Sequence, residues 1–376
     1  MAARKKTITK LTLAFAIACF LTITSASVLS QNINQLFQHG NAAQDRGDYS
    51  EAERIFRQVI EINPNDATAY NELGIALRKQ GELEEAIANH QKAIQLNPNY
   101  ANAYNNLGNA LADQGRLDDA IANYEKSIEL NPNASNAYFL RGITLMEMQF
   151  PSFERKLNKV ELEELTKVKL IEATQGKLDE VLTSFQKSIE INPNDADVHL
   201  MLGVTFFLQG KLEEAIVSFQ KSIEINPNED STYQALGVAL RQQGKLGEAL
   251  TIFQKAILIN PNNEEAYNGL GLTLQEQDKL EESIEEYQRA LDINPEYITA
   301  QNNIKEAKRL LAIKLNPPLP DIDDTQFLPS LTEEPLVNAL RSTARIIAQV
   351  SAEGNSIGAG WVVKKEANAV WIVTKE

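Results

Sequence analysis

Large apolar residues fall on one helical face in short runs through the middle of the chain. In 104–111 they are Tyr104, Leu107 and Leu111, at i, i+3 and i+7, which is one side of an amphipathic helix. A second run, Leu117 to Leu130, stops just before Pro132, which cannot continue a helix and turns Asn131 away from the α region. Between the runs stands Gly115, suited to the left-handed residue that ends a helix. The pattern predicts helix, tight turn, helix, turn. The block then returns. Asn-Pro recurs with its proline at Pro64, Pro98, Pro132, Pro193, Pro227, Pro261 and Pro295, 34 residues apart except for one gap of 61. Such a period marks units that must stack on neighbours to bury their apolar faces.

Counting the proline as position 32 aligns seven units: 33–66, 67–100, 101–134, a fourth from 135, then 196–229, 230–263 and 264–297. Position 8 is Gly40, Gly74, Gly108, Gly142, Gly203, Gly237 and Gly271. Position 20 is small in most units (Ala52, Ala86, Ala120, Ala215, Ala249, Ser283), and position 24 is Phe56, His90, Tyr124, Phe185, Phe219, Phe253 and Tyr287. Small residues at 8 and 20 remove side chains where two paired helices cross closely. Gly47, Gly81, Gly115, Gly176, Gly210 and Gly244 hold the turn at position 15; Asp278 stands there in the last unit, so that turn is expected to be strained or looser. These residues resemble the tetratricopeptide repeat (TPR) family over about 33–297. The resemblance implies an all-α, right-handed superhelix (an α-solenoid) of helix-turn-helix units.

The wide gap places an insertion at about 149–175, between the two helices of the fourth unit. Pro151 breaks the preceding helix, and 154–173 is charged and nearly free of breakers, which predicts a helix bulging from one rim, a solvated decoration or a docking arm. After the seventh unit, 298–313 carries Lys305, Glu306, Lys308 and Arg309 and reads as a capping helix, so repeats and cap fill 33–313. A proline- and acid-rich linker, 314–335, follows. The last stretch, 336–376, changes to β-rich runs at 343–350, 357–363 and 369–374, a short β-rich C-terminal stub. Gly358, Gly360, Trp361, Val362 and Val363, then Trp371, Ile372, Val373 and Thr374, resemble the opening strands of the trypsin-like serine proteases. There the catalytic histidine follows a few residues later, so the resemblance implies a truncated protease fragment. The alternative is an interrupted protease whose repeats recruit substrate or partner.

Residues 1–30 read as a signal peptide or N-terminal anchor. Arg4, Lys5, Lys6 and Lys10 form a basic region, 11–24 is an apolar and threonine stretch too short to span a membrane confidently, and Ser25, Ala26 and Ser27 follow. The expectation is an exported chain, periplasmic or secreted, touching a membrane only if the segment stays uncleaved. Cys19, the single cysteine, lies inside that stretch, so a mature chain would have no disulfide or thiol nucleophile.

The net charge of −15 argues against a nucleic-acid partner, which needs a basic surface. The histidines, His39, His90 and His199, all fall inside repeats and read as helix-packing residues. With no base, serine nucleophile and carboxylate to assemble, no His or Cys cluster at ligand spacing and no phosphate loop, an enzyme, a cofactor and a metal site are not expected.

Binding remains. In TPR proteins positions 2, 5, 9 and 12 line the concave face, which implies a protein or peptide ligand there. The candidate groove residues are Asn71, Asn105, Asn109, Phe139, Ile143, Leu200, Val204, Phe207, Gln234, Arg241 and Asn268. Amides in repeats two and three can hold an extended backbone by paired donor and acceptor contacts. Phe139, Ile143, Met146, Leu200, Val204 and Phe207 form an apolar band that either takes a partner or packs on itself and the insertion. The clamp of the chaperone-tail binders is missing, with Phe37 and Glu72 where lysine and asparagine would stand. The asparagine that O-GlcNAc transferases carry at position 6 is matched only by Asn106.

Overall fold

A computed structural model describes residues 31–150, 172–315, 361–366 and 369–374. Residues 1–30, most of the insertion and its expected helix, the linker from 316 on and the run at 343–350 lie outside the described residues. The chain divides into two compact units, Met1–Thr273 and Leu274–Glu376.

The first unit is a stack of helix pairs, a solenoid-like arrangement. Its helices are α1 (31–45), α2 (Tyr49–Ile62), α3 (Ala67–Gln80), α4 (Leu83–Leu96), α5 (Ala101–Asp113), α6 (Leu117–Leu130) and α7 (Ser135–Gln149). Beyond the insertion come α8 (Glu172–Ile191), α9 (Ala196–Leu208), α10 (Leu212–Ile225), α11 (Asp230–Gln242), α12 (Leu246–Ile259) and α13 (Glu264–Glu276), the last crossing the unit boundary. Local signals account for the ends. Asp66 caps α3 by accepting from the Thr68 and Ala69 amides at 3.0 and 3.1 Å, and Gly81 closes it with φ of 86°. At six of the seven Asn-Pro turns the asparagine Oδ1 accepts the amide two residues on: Asn63, Asn97, Asn131, Asn226, Asn260 and Asn294 do so.

Why position 8 is glycine wherever position 24 carries a ring is now plain, because the two touch. A Cβ placed on Gly108 would lie 2.6 Å from Tyr124 Cε1, and Gly40, Gly74, Gly142, Gly203 and Gly237 meet Phe56, His90, Phe185, Phe219 and Phe253 in the same way. Phe253 is pressed from a second side by Gly269 of the next repeat. All these rings are fully buried, with Ala52, Ala86, Ala120, Ala215 and Ala249 beside them in the core. Adjacent repeats are also tied by a recurring bond: Gln114, Gln209 and Gln243 at position 14 donate to Glu84, Asp179 and Glu213 at position 18 of the unit before, at 3.0, 2.9 and 2.9 Å.

Gly176 departs from expectation. It lies inside α8 and not in a left-handed turn; among the described glycines, Gly47, Gly81, Gly115, Gly210 and Gly244 have positive φ. In the other units the chain reverses at this point from the helix just ended. Here it arrives from the insertion, so no reversal is required and α8 starts before the glycine.

In the second unit α14 (Leu280–Ile293) pairs with α15 (Ile298–Leu315). The cap expected at 298–313 is therefore one helix, two residues longer. Ala300, Ile304 and Ala307 are buried, while Lys305, Glu306, Lys308 and Arg309 face solvent. Asp278 adopts the left-handed conformation itself, with φ of 61°, so its turn is strained and not looser. The Lys314 ammonium donates to the Asp278 carbonyl at 3.1 Å and to its carboxylate at 2.6 Å, holding it there. Strands β1 (Trp361–Glu366) and β2 (Ala369–Thr374) pair antiparallel, Trp361 opposite Thr374 and Glu366 opposite Ala369. The first strand runs past the end of the expected 357–363 to Glu366, because Lys364 to Glu366 pair with Trp371 to Ala369, and 357–360 lie outside the described residues.

Candidate functional site

The sequence of each first helix decides which positions stay open. α9 is apolar on every side, and a helix of that kind is stable only when covered all round. Leu200, Val204 and Phe207 are accordingly buried, as are Ile143 and Met146 of α7, which is the packed one of the two arrangements open for the apolar band; Phe139 alone of the six is half-buried. Asn71, Gln234 and Asn268 are buried too. Asn105, Asn109, Phe139 and Arg241 are half-buried and form the open part of the candidate set.

Repeats one to three are joined along this face by amides. Asn106 Nδ2 donates to Asn71 Oδ1 at 3.0 Å, Asn71 Nδ2 donates to Glu72 Oε1 at 3.1 Å, and Gln44 Nε2 donates to the Glu72 carbonyl at 3.1 Å. Burial pushes the Glu72 carboxyl above its ordinary pKa, opposed by the bond from Asn71. Asn71 is thus engaged in a structural chain. Asn109 Oδ1 accepts the Tyr124 hydroxyl at 2.9 Å, whereas Asn105 Oδ1 is buried with no partner. Next to them opens a cleft of about 290 Å³ lined by Arg78, Asn109, Asp113, Asn136 and Leu140. The Arg78 guanidinium bonds Asp113 at 2.7 Å across repeats two and three, so this wall presents no unpaired cation for an anionic ligand.

The Tyr124–Asn109 bond was missed by reading the sequence, though a signal existed. Repeat three alone combines tyrosine at position 24 with asparagine at position 9.

The histidines differ from one another. His90 is fully buried under Gly74, with neither ring nitrogen partnered; burial, and secondarily the Arg78 charge, hold its pKa down to about 3. His199 Nε2 lies 2.9 Å from the Pro193 carbonyl oxygen and serves the turn before its helix. His39, expected to pack, is exposed instead. It lines a cleft of about 260 Å³ on the first helix pair with Arg46, Glu51 and Arg54, since no earlier described repeat packs over that edge. Arg54 closes on Glu51 with two bonds of 2.7 and 2.6 Å, and this pairing pulls the Glu51 carboxyl below its ordinary pKa. Among the described residues no group of three or more His, Cys, Asp or Glu is placed to hold a metal, and no helix is long and apolar enough to cross a membrane.

Comparison with known proteins bears on the fold. The tetratricopeptide repeat family matches at 101–134, 196–229 and 264–297, the bounds of units three, five and seven above. Further matches to TPR repeats cover 75–115, 170–210 and 239–278, then 55–88 and 218–251, and 36–66. Among curated proteins none matches the chain in sequence. Similar solved structures include the Cut9–Hcn1 hetero-tetramer of APC/C (TM-score 0.54, 19% identity, 72% of this chain and 48% of that one). Others are pilF of Pseudomonas aeruginosa (TM-score 0.52, 17% identity, 63% and 96%) and a tetratricopeptide repeat protein from Parabacteroides merdae (TM-score 0.50, 17% identity, 74% and 99%). With its repeats matched in register from 36 to 134 and from 170 to 297, the chain belongs to the tetratricopeptide repeat proteins.

Proposed function

We propose that this chain is an exported, non-enzymatic scaffold that binds a protein or peptide segment along the open face of repeats two to four. Tetratricopeptide scaffolds typically mediate protein–protein interaction. The observation that carries the reading here is the open amide row, Asn105 and Asn109 with exposed Asn136, beside a cleft of about 290 Å³. Neutral amides offer both donors and acceptors, which suits an extended main chain. A chain of −15 net charge with a paired arginine in the cleft wall suits neither nucleic acid nor a carboxylate clamp.

Two measurements test this. Asn136 is exposed near the start of α7, so Asn136→Arg fills the cleft mouth without touching the core. The full-length variant should bind an array of end-capped peptides at least about tenfold more weakly than the wild type, the range expected for blocking a central contact. Equal binding would remove the site. Export rests on the basic, apolar and small-residue order of 1–30. N-terminal sequencing of protein recovered outside the cytoplasm should start after about residue 26–30; full-length cytoplasmic protein would refute it.

A further inference from the structure

We infer that Tyr124 sets the specificity of this site by fixing which way the Asn109 amide points, so that repeat three reads a peptide main chain as one donor and one acceptor. The inference deepens the binding reading above and rests on it. Tyr124 is fully buried against Gly108, and its hydroxyl donates to Asn109 Oδ1 at 2.9 Å. A side-chain amide has one oxygen acceptor and one NH₂ donor group. With the oxygen engaged, Nδ2 is what Asn109 offers the cleft, and it has no partner among the described residues. One turn earlier the half-buried Asn105 holds its Oδ1 inward and unpartnered, a state that costs stability and that a turn of the amide toward a ligand donor would relieve.

Residues four apart on a helix share a face with their Cβ atoms about 6 Å apart. An extended peptide rises about 3.3 Å per residue, so groups two residues apart on one edge are spaced by roughly 6.6 Å. A peptide carbonyl can therefore accept from Asn109 Nδ2, while Asn105, whose amide no hydrogen bond fixes, turns its buried oxygen outward to accept an N–H two residues along. The ligand class is an extended segment with exposed main chain and no requirement for a charged terminus, because Arg78 is already spent on Asp113. The other units do not repeat this device. Phe56, Phe185, Phe219 and Phe253 have no hydroxyl at position 24, neither ring nitrogen of His90 has a partner, and Tyr287 donates to Gln275 at position 12.

Tyr124→Phe isolates the hydroxyl, since four sister units already accommodate phenylalanine there. The probe is the same array of end-capped peptides, with each binder repeated as a series carrying one N-methylated backbone amide per member. For the full-length chain, Tyr124→Phe is expected to keep its melting temperature within a few degrees and to weaken array binding about 5- to 10-fold. Discrimination against the N-methylated member should shrink with it. Asn109→Leu should give the same loss, and the double variant should lose no more than either alone. Unchanged binding by Tyr124→Phe, or losses that add, would overturn the inference and leave Tyr124 a packing residue, with a water as the partner of Asn105. A wild-type chain that binds no array peptide would bring down the binding reading itself, a result distinct from a wild type that binds and a variant that binds equally.

Discussion

Replacing His90 by phenylalanine should stabilise the chain at pH 8 and stabilise it further at pH 5. Both ring nitrogens of His90 are buried without partners, and removing such groups is worth on the order of 1–3 kcal/mol. The pH dependence follows from its pKa, depressed from 6.5 to about 3 by burial first and by Arg78 second. Above pH 6.5 the imidazole is neutral in both the folded and unfolded chain, and it contributes no slope. Between 6.5 and 3 the unfolded chain takes up a proton that the folded chain refuses, so stability falls as pH falls; below 3 the loss is complete. By pH 5 the loss amounts to about 2 kcal/mol, at roughly 1.4 kcal/mol per pH unit. His90→Phe removes it, with a side chain that Phe56, Phe185, Phe219 and Phe253 show to fit over the facing glycine. Urea titrations of both proteins from pH 8 to 5 give the comparison; a stability difference that does not change with pH would mean the imidazole is solvated in the folded chain.

The second large effect is a loss. Phe253→Ala should cost about 3–5 kcal/mol, toward the upper end of what a buried aromatic costs. Its ring is fully buried between Gly237 and Gly269, and glycines have no side chain to lean into the vacated space. Leu258→Ala on the same helix is the reference: Leu258 is 73% exposed, and its removal should change stability by no more than about 0.5 kcal/mol. Adding Gly237→Leu to Phe253→Ala should return part of the loss, because the new side chain enters the same space. If the double variant is no better than Phe253→Ala, the wedge is not what stabilises this junction.

The fold was legible because its punctuation is chemical. Proline after asparagine and a helix-ending glycine act locally, so their recurrence announces the unit without any knowledge of packing. What touches what was less legible. Gly108 and Tyr124 are both visible as regular positions, but their contact depends on how two helices cross. Gly176 misled because the same residue at the same register has no turn to make once an insertion feeds the helix. The candidate site was harder still. Leu200 and Val204 occupy positions that could face a ligand or a neighbour, and residue type alone does not separate those outcomes. The open amides of repeat three were foreseen individually. Their polarity was not, since it depends on one hydroxyl fifteen residues further along the chain.

The Asn-Pro turns have a consequence for how the protein ages. Asparagine deamidates when the backbone nitrogen of the following residue attacks its side-chain carbonyl to form a succinimide. Proline has no N–H to lose, so its nitrogen cannot serve as that nucleophile. Asn63, Asn97, Asn131, Asn226, Asn260 and Asn294, each followed by proline and each carrying a turn through its Oδ1, are therefore shielded from the commonest spontaneous damage to asparagine. The asparagine that ends each helix pair is thus protected by the proline after it, a protection that the second asparagine of the same turn, followed by Asp66, Tyr100 or Ala134, does not share.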